Sequence, residues 1–321
     1  MSDLTTTASA RAGLDDLHGA RCSDGAPSAR NLLVTVFGDA LALAGDDAEI
    51  TVQHLAGLLA SFDVNERLVR TSLSRIAQEG LVVSRSQGRR SYYRIAPDAR
   101  ELFRTADRRI YRGAATGAGR STWDGSWTMV VVDGSEATAA KRAELRQRLT
   151  WAGLGTVAPN VMASPVVPVE AVVDVVARVG GFENVMVSRS TVFDGVGLLG
   201  SEALARRCAD LDDVEQRYRE FTAWFSRLDD ATLRGLDDAT AWKARVLLVA
   251  TFRRAALADP QLPAELLSAD WSGTAARSEA ARVYAAIAVA SDRHLARTAR
   301  LSIDTPVDRF AGFGSAQFQP D

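Results

Sequence analysis

Residues 65–95, NERLVRTSLSRIAQEGLVVSRSQGRRSYYRI, switch at Gly80 from a helical period to a strand-like one. Across 66–79, at about 100° per residue, Val69, Leu73, Ile76 and Ala77 gather on one side and belong to a core. The opposite side carries Arg67, Thr71, Ser74 and Gln78, flanked by Arg70 and Arg75. Beyond Gly80, LVVSRSQGRRSYYRIA places β-prone residues on both sides of Ser86-Gln87-Gly88, the pattern of a hairpin.

Upstream, Ser28 is placed to cap a helix over 31–43, where Leu32, Leu33, Val36, Phe37 and Ala40 keep i, i+3, i+4 spacing. Gly45-Asp46-Asp47 breaks that helix. Thr51 caps a second one, TVQHLAGLLASF, and Asp63-Val64-Asn65 leaves only a short turn before the third. Downstream, Pro97 opens a further helix, DARELFRTADRRIYR, which stops near Gly113. Short helices joined by a tight turn and followed by a hairpin predict a winged helix-turn-helix over 28–113.

Charge singles out the same region. The chain has a net charge of only −2, yet residues 67–112 hold twelve arginines against four acids, a local balance of +8. The rest of the chain therefore sums to −10, so one concentrated cationic segment sits on an acidic body, the signature of a local polyanion site. Arginine bridges guanine O6 and N7, and Thr or Ser hydroxyls reach base edges or phosphates. Recognition helices read bases with their N-terminal half, which favours Arg67, Arg70, Thr71 and Ser74, with Arg75 beside them. The hairpin adds Arg85, Arg89 and Arg90 around Gly88, backed by Tyr92 and Tyr93, within reach of the phosphate backbone or a minor groove. A charged helix face alone is usually just solvated; the order helix, short turn, basic hairpin is what favours double-stranded DNA as the partner.

The remainder reads as two further domains, with a Gly/Ala/Ser/Thr-rich linker over 114–125. Over 126–197, strand, helix, strand, helix and strand follow one another (SWTMVVVD, EATAAKRAELRQRLTWAG, LGTVAPNVMASP, PVEAVVDVVARVG, ENVMVSRST), with Ala143, Leu145 and Leu149 expected in the core. That is the ferredoxin-like pattern with one strand weakly marked. Over 198–300 only helical periods appear, so the fold class is α+β with an all-α C-terminal domain. Residues 1–27 read as a disordered leader and 301–321 as a tail.

Several chemistries find little support. With 47% hydrophobic residues the chain can bury a large core, but no window approaches the ~18 apolar residues of a membrane span. The N-terminus has no apolar signal segment, which points to the cytoplasm. Cys22 and Cys208 form no CxxC, and His18, His54 and His294 are isolated, so neither a disulfide framework nor a zinc site is expected. GVGLLG (195–200) matches a dinucleotide fingerprint, but nothing strand-like follows Ser201, so it reads as a junction turn and no cofactor is expected.

FGDA (37–40), NERLVRTSLSRIAQEGLV (65–82), GRRSYYRI (88–95), TWDGSWTMVVVD (122–133) and FRRAALADPQLPAELLSADWSG (252–273) resemble the phenylacetate-degradation repressor family, PaaX-like. The resemblance spans about 30–290. It implies a bacterial, non-enzymatic homodimeric repressor of phenylacetate catabolism: an N-terminal winged helix, a middle ferredoxin-like domain, and a C-terminal helical domain for effector binding and dimerisation. The family's inducer is phenylacetyl-CoA. For such a ligand the candidate residues are Arg253 and Arg254 for phosphates and Trp271 for the acyl group, although Trp271, like Trp224, Trp242 and Phe252, also suits a core. Two alternatives stay open. One is a metal-dependent nuclease using Asp133 at the end of the first ferredoxin-like strand, although neither Asp124 nor Asp174 makes an evident pair with it; the other is a nucleic-acid-binding scaffold without ligand control.

Overall fold

The computed structural model describes residues 13–14, 28–112, 123–133, 138–180, 185–192, 198–301, 303 and 308–310. Most of the expected leader, linker and tail lies outside the described residues; of the leader only Gly13 and Leu14 are described, and Leu14 is buried. The chain divides into two compact units: Met1–Gly113 with Arg217–Leu257 and Ser272–Asp321, and Ala114–Gln216 with Ala258–Trp271.

In the first unit, helix α1 (Ala29–Val36) starts where Ser28 Oγ accepts the Asn31 N–H. It continues as a wider π turn, Phe37–Leu41, which buries Asp39 along with Phe37, Ala40 and Leu41. Strand β1 (Ile50–Thr51) leads into α2 (Val52–Leu58), capped by Thr51 Oγ1, which accepts the His54 N–H at 3.2 Å. The helix expected as one piece over 51–62 tightens after Leu58 into a 3₁₀ turn, Ala60–Phe62, and Asp63 turns the chain at φ 56°. Asn65 Oδ1 then accepts the Leu68 N–H at 3.0 Å and opens α3 (Glu66–Gln78). Gly80, at φ +75°, ends α3: its N–H reaches the Ala77 carbonyl and the Leu81 N–H reaches the Ile76 carbonyl, each at 3.0 Å. Strands β2 (Val82–Gln87) and β3 (Arg90–Ile95) form the hairpin, and the antiparallel sheet has the order β1-β3-β2. The loop is Gly88 and Arg89, about one residue beyond the expected Ser86-Gln87-Gly88 turn and sharing Gly88 with it, with positive φ at Gly88 only. Helix α4 (Arg100–Asp107) follows and widens into a π turn, Arg108–Arg112.

The second unit contains β4 (Ser126–Val132), α5 (Ala139–Ala152), β5 (Gly155–Ala158), β6 (Val161–Ser164), α6 (Val169–Val179) and β7 (Val185–Thr191). The weakly marked strand is a hairpin: Pro159 and Asn160 divide LGTVAPNVMASP into β5 and β6. The antiparallel order β5-β6-β4-β7 is that of a ferredoxin-like sheet. Alternation along the strands serves two cores. Val130 and Met162 meet Leu145, Leu149 and Val172 of the helices, while Trp127 and Ala163 meet Leu204 and Ala205 of α7 (Ser201–Cys208). Ala143, expected in the core, is exposed. Glycine is obligatory at 155, because a Cβ there would lie 2.0 Å from the Cys208 carbonyl oxygen. Burial raises the Cys208 thiol to about 11.

The helical periods beyond Ser201 are finer than the sequence suggested. The first divides into α7 and α8 (Leu211–Phe225), and a short α9 (Asp230–Arg234) precedes α10 (Asp238–Ala258) and α11 (Ser272–Ala299). Within the first unit α10 is buried almost all round, from Thr240 to Phe252. Its Trp242 indole donates to the Leu58 carbonyl at 2.8 Å, tying it to the end of α2. Arg277 of α11 donates to the Ile110 and Arg109 carbonyls at 3.1 and 3.2 Å.

Asp39 stands at the centre of this unit, 3% exposed. Its carboxylate accepts from Arg245 Nε at 2.6 Å, Arg309 Nη1 at 2.5 Å, Tyr284 Oη at 3.1 Å, and Tyr111 Oη. Arg309 also pairs with Asp107, and Phe310 packs edge-on against Tyr111, Tyr284 and Phe252. Burial alone would raise the Asp39 pKa, but the charges of Arg245 and Arg309 and the donated hydrogen bonds outweigh it, leaving the carboxyl below its ordinary value. A lowered native-state pKa stabilises the fold above the unfolded value and is lost as pH falls through the folded one. Asp39→Asn leaves two guanidiniums with only their outer carboxylates, Asp292 for Arg245 and Asp107 for Arg309, and should cost about 3–5 kcal/mol in urea unfolding at neutral pH. It should also flatten the loss of stability that the wild type shows below about pH 4. A loss under about 1 kcal/mol would contradict this account.

Candidate nucleic-acid interface

Helix α3 buries Val69, Ser72, Leu73 and Ile76, and Ala77 is half-buried. Three of the four expected core positions are therefore buried, and Ser72 joins them. Arg67, Arg70, Thr71, Ser74, Arg75 and Gln78 are all exposed, so the polar row forms one continuous face. Thr71 Oγ1 donates back to the Arg67 carbonyl at 3.0 Å, and Arg70 pairs with Glu66 one turn earlier.

In the hairpin, Arg85 stands opposite Tyr92 and Gln87 opposite Arg90, which puts Arg85, Arg90 and Tyr92 on the same side of the ribbon. Arg89 and Arg90 occupy the tip. Arg85 is held further back: Nη2 meets Glu49 at 2.5 Å, Nη1 meets Gln87 Oε1 at 3.0 Å, and the guanidinium lies 4.7 Å from the Tyr92 ring centre. Hydrogen bonds from Arg85 pull the Glu49 carboxyl below its usual value despite some burial. Among the described residues Arg67, Arg75, Arg89 and Arg90 make no ion pair.

The sequence reading missed a third contributor. A polar groove of about 690 Å³ is lined by Arg70 of α3, Arg89 and Arg90 of the hairpin, and Arg297 and Arg300 at the end of α11. A close approach sets this neighbourhood, since a Cβ on Gly57 of α2 would lie 2.9 Å from the Thr298 methyl. His54 lines the groove too, and burial, then the charges of Arg300 and Arg90, lower its pKa. Arg297 is pinned to Asp238 at 2.7 Å. The only sequence signal was the run RHLARTAR (293–300), which looks like ordinary cations complementing a helix C-terminus.

The candidate ligand residues fall in different units. Arg254 is exposed; Arg253 is half-buried and donates to the Asn31 carbonyl at 3.3 Å. Trp271 belongs to the second unit, where it packs against the core around Trp127. Asp133 is exposed at the end of β4, and among the described residues no three His, Cys, Asp or Glu side chains converge on a metal position. Of GVGLLG, residues 195–197 lie outside the described residues; 198–200 lead into α7, with Gly200 as its N-cap. No described helix is long and apolar enough to cross a membrane.

An arginine-rich helix-and-hairpin surface, a ferredoxin-like sheet and a helical C-terminal region together define an α+β protein of composite architecture. The family model "PaaX-like protein" matches residues 28–99, the "PaaX protein central Cas2-like domain" matches 120–197, and the "PaaX-like protein C-terminal domain" matches 209–297. The chain is 30% identical over 295 residues to the transcriptional repressor PaaX of Escherichia coli (strain K12), covering 91% of this chain and 89% of that protein. This chain belongs to the PaaX-like family. An uncharacterized protein from Mycobacterium tuberculosis shares the fold, with a TM-score of 0.53 and 24% identity over 84% of this chain and 99% of that one.

The two faces of α3 should separate cleanly in chemical denaturation. Ile76→Ala should lose about 2–5 kcal/mol through the cavity it leaves. Thr71→Ala and Ser74→Ala should stay within about 0.5 kcal/mol of the wild type, as exposed positions do.

Proposed function

We propose that this chain is a DNA-binding transcriptional repressor in which residues 28–113 act as a winged helix-turn-helix. In this reading α3 enters the major groove and the β2–β3 hairpin is the wing. The observation that carries it is the groove in which Arg70, Arg89, Arg90, Arg297 and Arg300 converge beside the exposed polar row of α3. Arg67, Arg70, Thr71 and Ser74 supply base contacts; Arg75, Arg89, Arg90 and Arg300 supply phosphate contacts; Glu49 and Tyr92 hold Arg85 in place. The E. coli relative, named a transcriptional repressor, supports the regulatory role.

One chain offers one α3, whereas a pseudo-palindromic operator presents two half-sites about 34 Å apart, so the repressor acts as a homodimer. Release is assigned to an aryl-CoA thioester such as phenylacetyl-CoA, whose many contacts suit the ~10⁴-fold differential affinity that a full population shift requires. Reciprocity then demands that DNA weaken the binding of the thioester.

Selection from random duplexes with the full chain, followed by gel shifts, tests the reading. Affinity should fall steeply with salt, and Arg300→Ala should reduce the log–log slope by about 1 for every sequence alike. Arg70→Ala should cost about 1–3 kcal/mol and relax preference at one base pair. Recovery of no duplex would overturn the proposal. Sedimentation of a monomer both free and on DNA would overturn the dimer, and unchanged gel shifts with phenylacetyl-CoA would overturn the effector.

A further inference from the structure

His54 differs from the other described histidine in having nothing to hold its ring. Its backbone N–H is spent on Thr51 Oγ1, but among the described residues the imidazole makes no hydrogen bond and no ion pair. His294, by contrast, stacks on Trp242 and lies 3.4 Å from the Thr298 hydroxyl. The half-buried His54 lines the groove of about 690 Å³ together with Arg70, Arg89, Arg90, Arg297 and Arg300.

The groups that face it come from four parts of the chain. On α2 itself and just before it, Gln53 and Thr51 are neutral. From α3, Arg70 is answered by Glu66; from α11, Arg297 is answered by Asp238. Arg89 and Arg90 of the hairpin, and Arg300 just beyond α11, have no ion pair among the described residues. The groove therefore surrounds a neutral imidazole with a surplus of positive charge. Burial, then the charges of Arg300 and Arg90, hold the His54 pKa below its ordinary value, so the ring is mostly neutral at pH 7 in the free protein.

A chain of phosphates entering the groove reverses that field. It neutralises Arg89, Arg90 and Arg300 and brings only acceptor oxygens, and an imidazole donates from both ring nitrogens only when protonated. We propose that His54 is a phosphate-contacting residue of the groove, neutral in the free protein and taking up one proton when duplex DNA binds. That the polyanion is DNA rests on the repressor reading; the proton uptake requires only a chain of phosphates. Binding raises the His54 pKa, so between the free and bound values the complex holds more protons than the free protein. Affinity then rises as pH falls through that window.

The test is the affinity of the full chain for a duplex recovered by selection, measured at about pH 6 and about pH 8 at fixed ionic strength. The wild type should bind about fivefold tighter at the lower pH. His54→Gln should lose that gain, and His294→Gln should keep it. His54→Lys, charged throughout, should bind at both pH values as tightly as the wild type does at the lower one, a rescue that misfolding would not give. In an NMR titration of histidine-labelled protein, the ring signal that His54→Gln removes should titrate below about 6.5 in the free chain and above it on DNA. A wild-type affinity that is flat with pH, or a gain undiminished in His54→Gln, overturns the role of His54 and leaves the repressor reading standing. If selection recovers no duplex, the repressor reading falls and inorganic polyphosphate replaces DNA as the probe. Tighter polyphosphate binding at the lower pH that His54→Gln abolishes then upholds the proton uptake; binding that is flat with pH, or none, overturns it.

Discussion

The Asp39 carboxylate is stripped of water and held by two guanidiniums and two phenols drawn from α4, α10, α11 and the segment around Arg309. A buried charge of that kind is tolerable only when its partners are all in place, because removing one leaves another uncompensated in a low-dielectric interior. The N-terminal helices and the C-terminal helices therefore form one unit by necessity. Trp242 on the Leu58 carbonyl and Arg277 on the carbonyls of Arg109 and Ile110 join the same elements with neutral acceptors.

Arginine serves two ends in this unit. Arg245, Arg277 and Arg309 are buried and answered by carboxylates or carbonyls; a guanidinium keeps its charge there because it does not deprotonate. Arg67, Arg75, Arg89, Arg90 and Arg300 project outward with no ion pair among the described residues. Cations held by rigid elements and not answered internally are what a polyanion meets at low reorganisation cost. The internal set fixes the elements from which the external set projects, and Arg253 stands between the two, partly buried and, among the described residues, answered by a backbone carbonyl and no carboxylate.

Elements whose own sequence carries period, cap and stop were legible in advance. α3 has all three: Asn65, the spacing of Val69, Leu73 and Ile76, and Gly80. Shorter elements were not. β5 and β6 have four residues each, too few for alternation to show a boundary, and the stretch around Pro159 and Asn160 read as a single strand. Ala143 was misplaced because alanine fits both faces of a helix equally well. Asp39 gave no warning within its helical period, since burying an acid there depends on cations more than 200 residues away in sequence.

Sequence by itself determined the α+β class, the course of the basic helix and hairpin, and the exposed row of Arg67, Arg70, Thr71, Ser74 and Arg75, because helical and strand periods are local properties of the chain. Only the tertiary structure decided that Arg297 and Arg300 share a groove with Arg70 and Arg90, that Arg85 is restrained by Glu49, and that Arg253 faces an apolar cavity. These depend on packing α2 against α11 and α1 against α10, and the burial of Asp39 and the space left by Gly57 fix that packing at a range no local period reports.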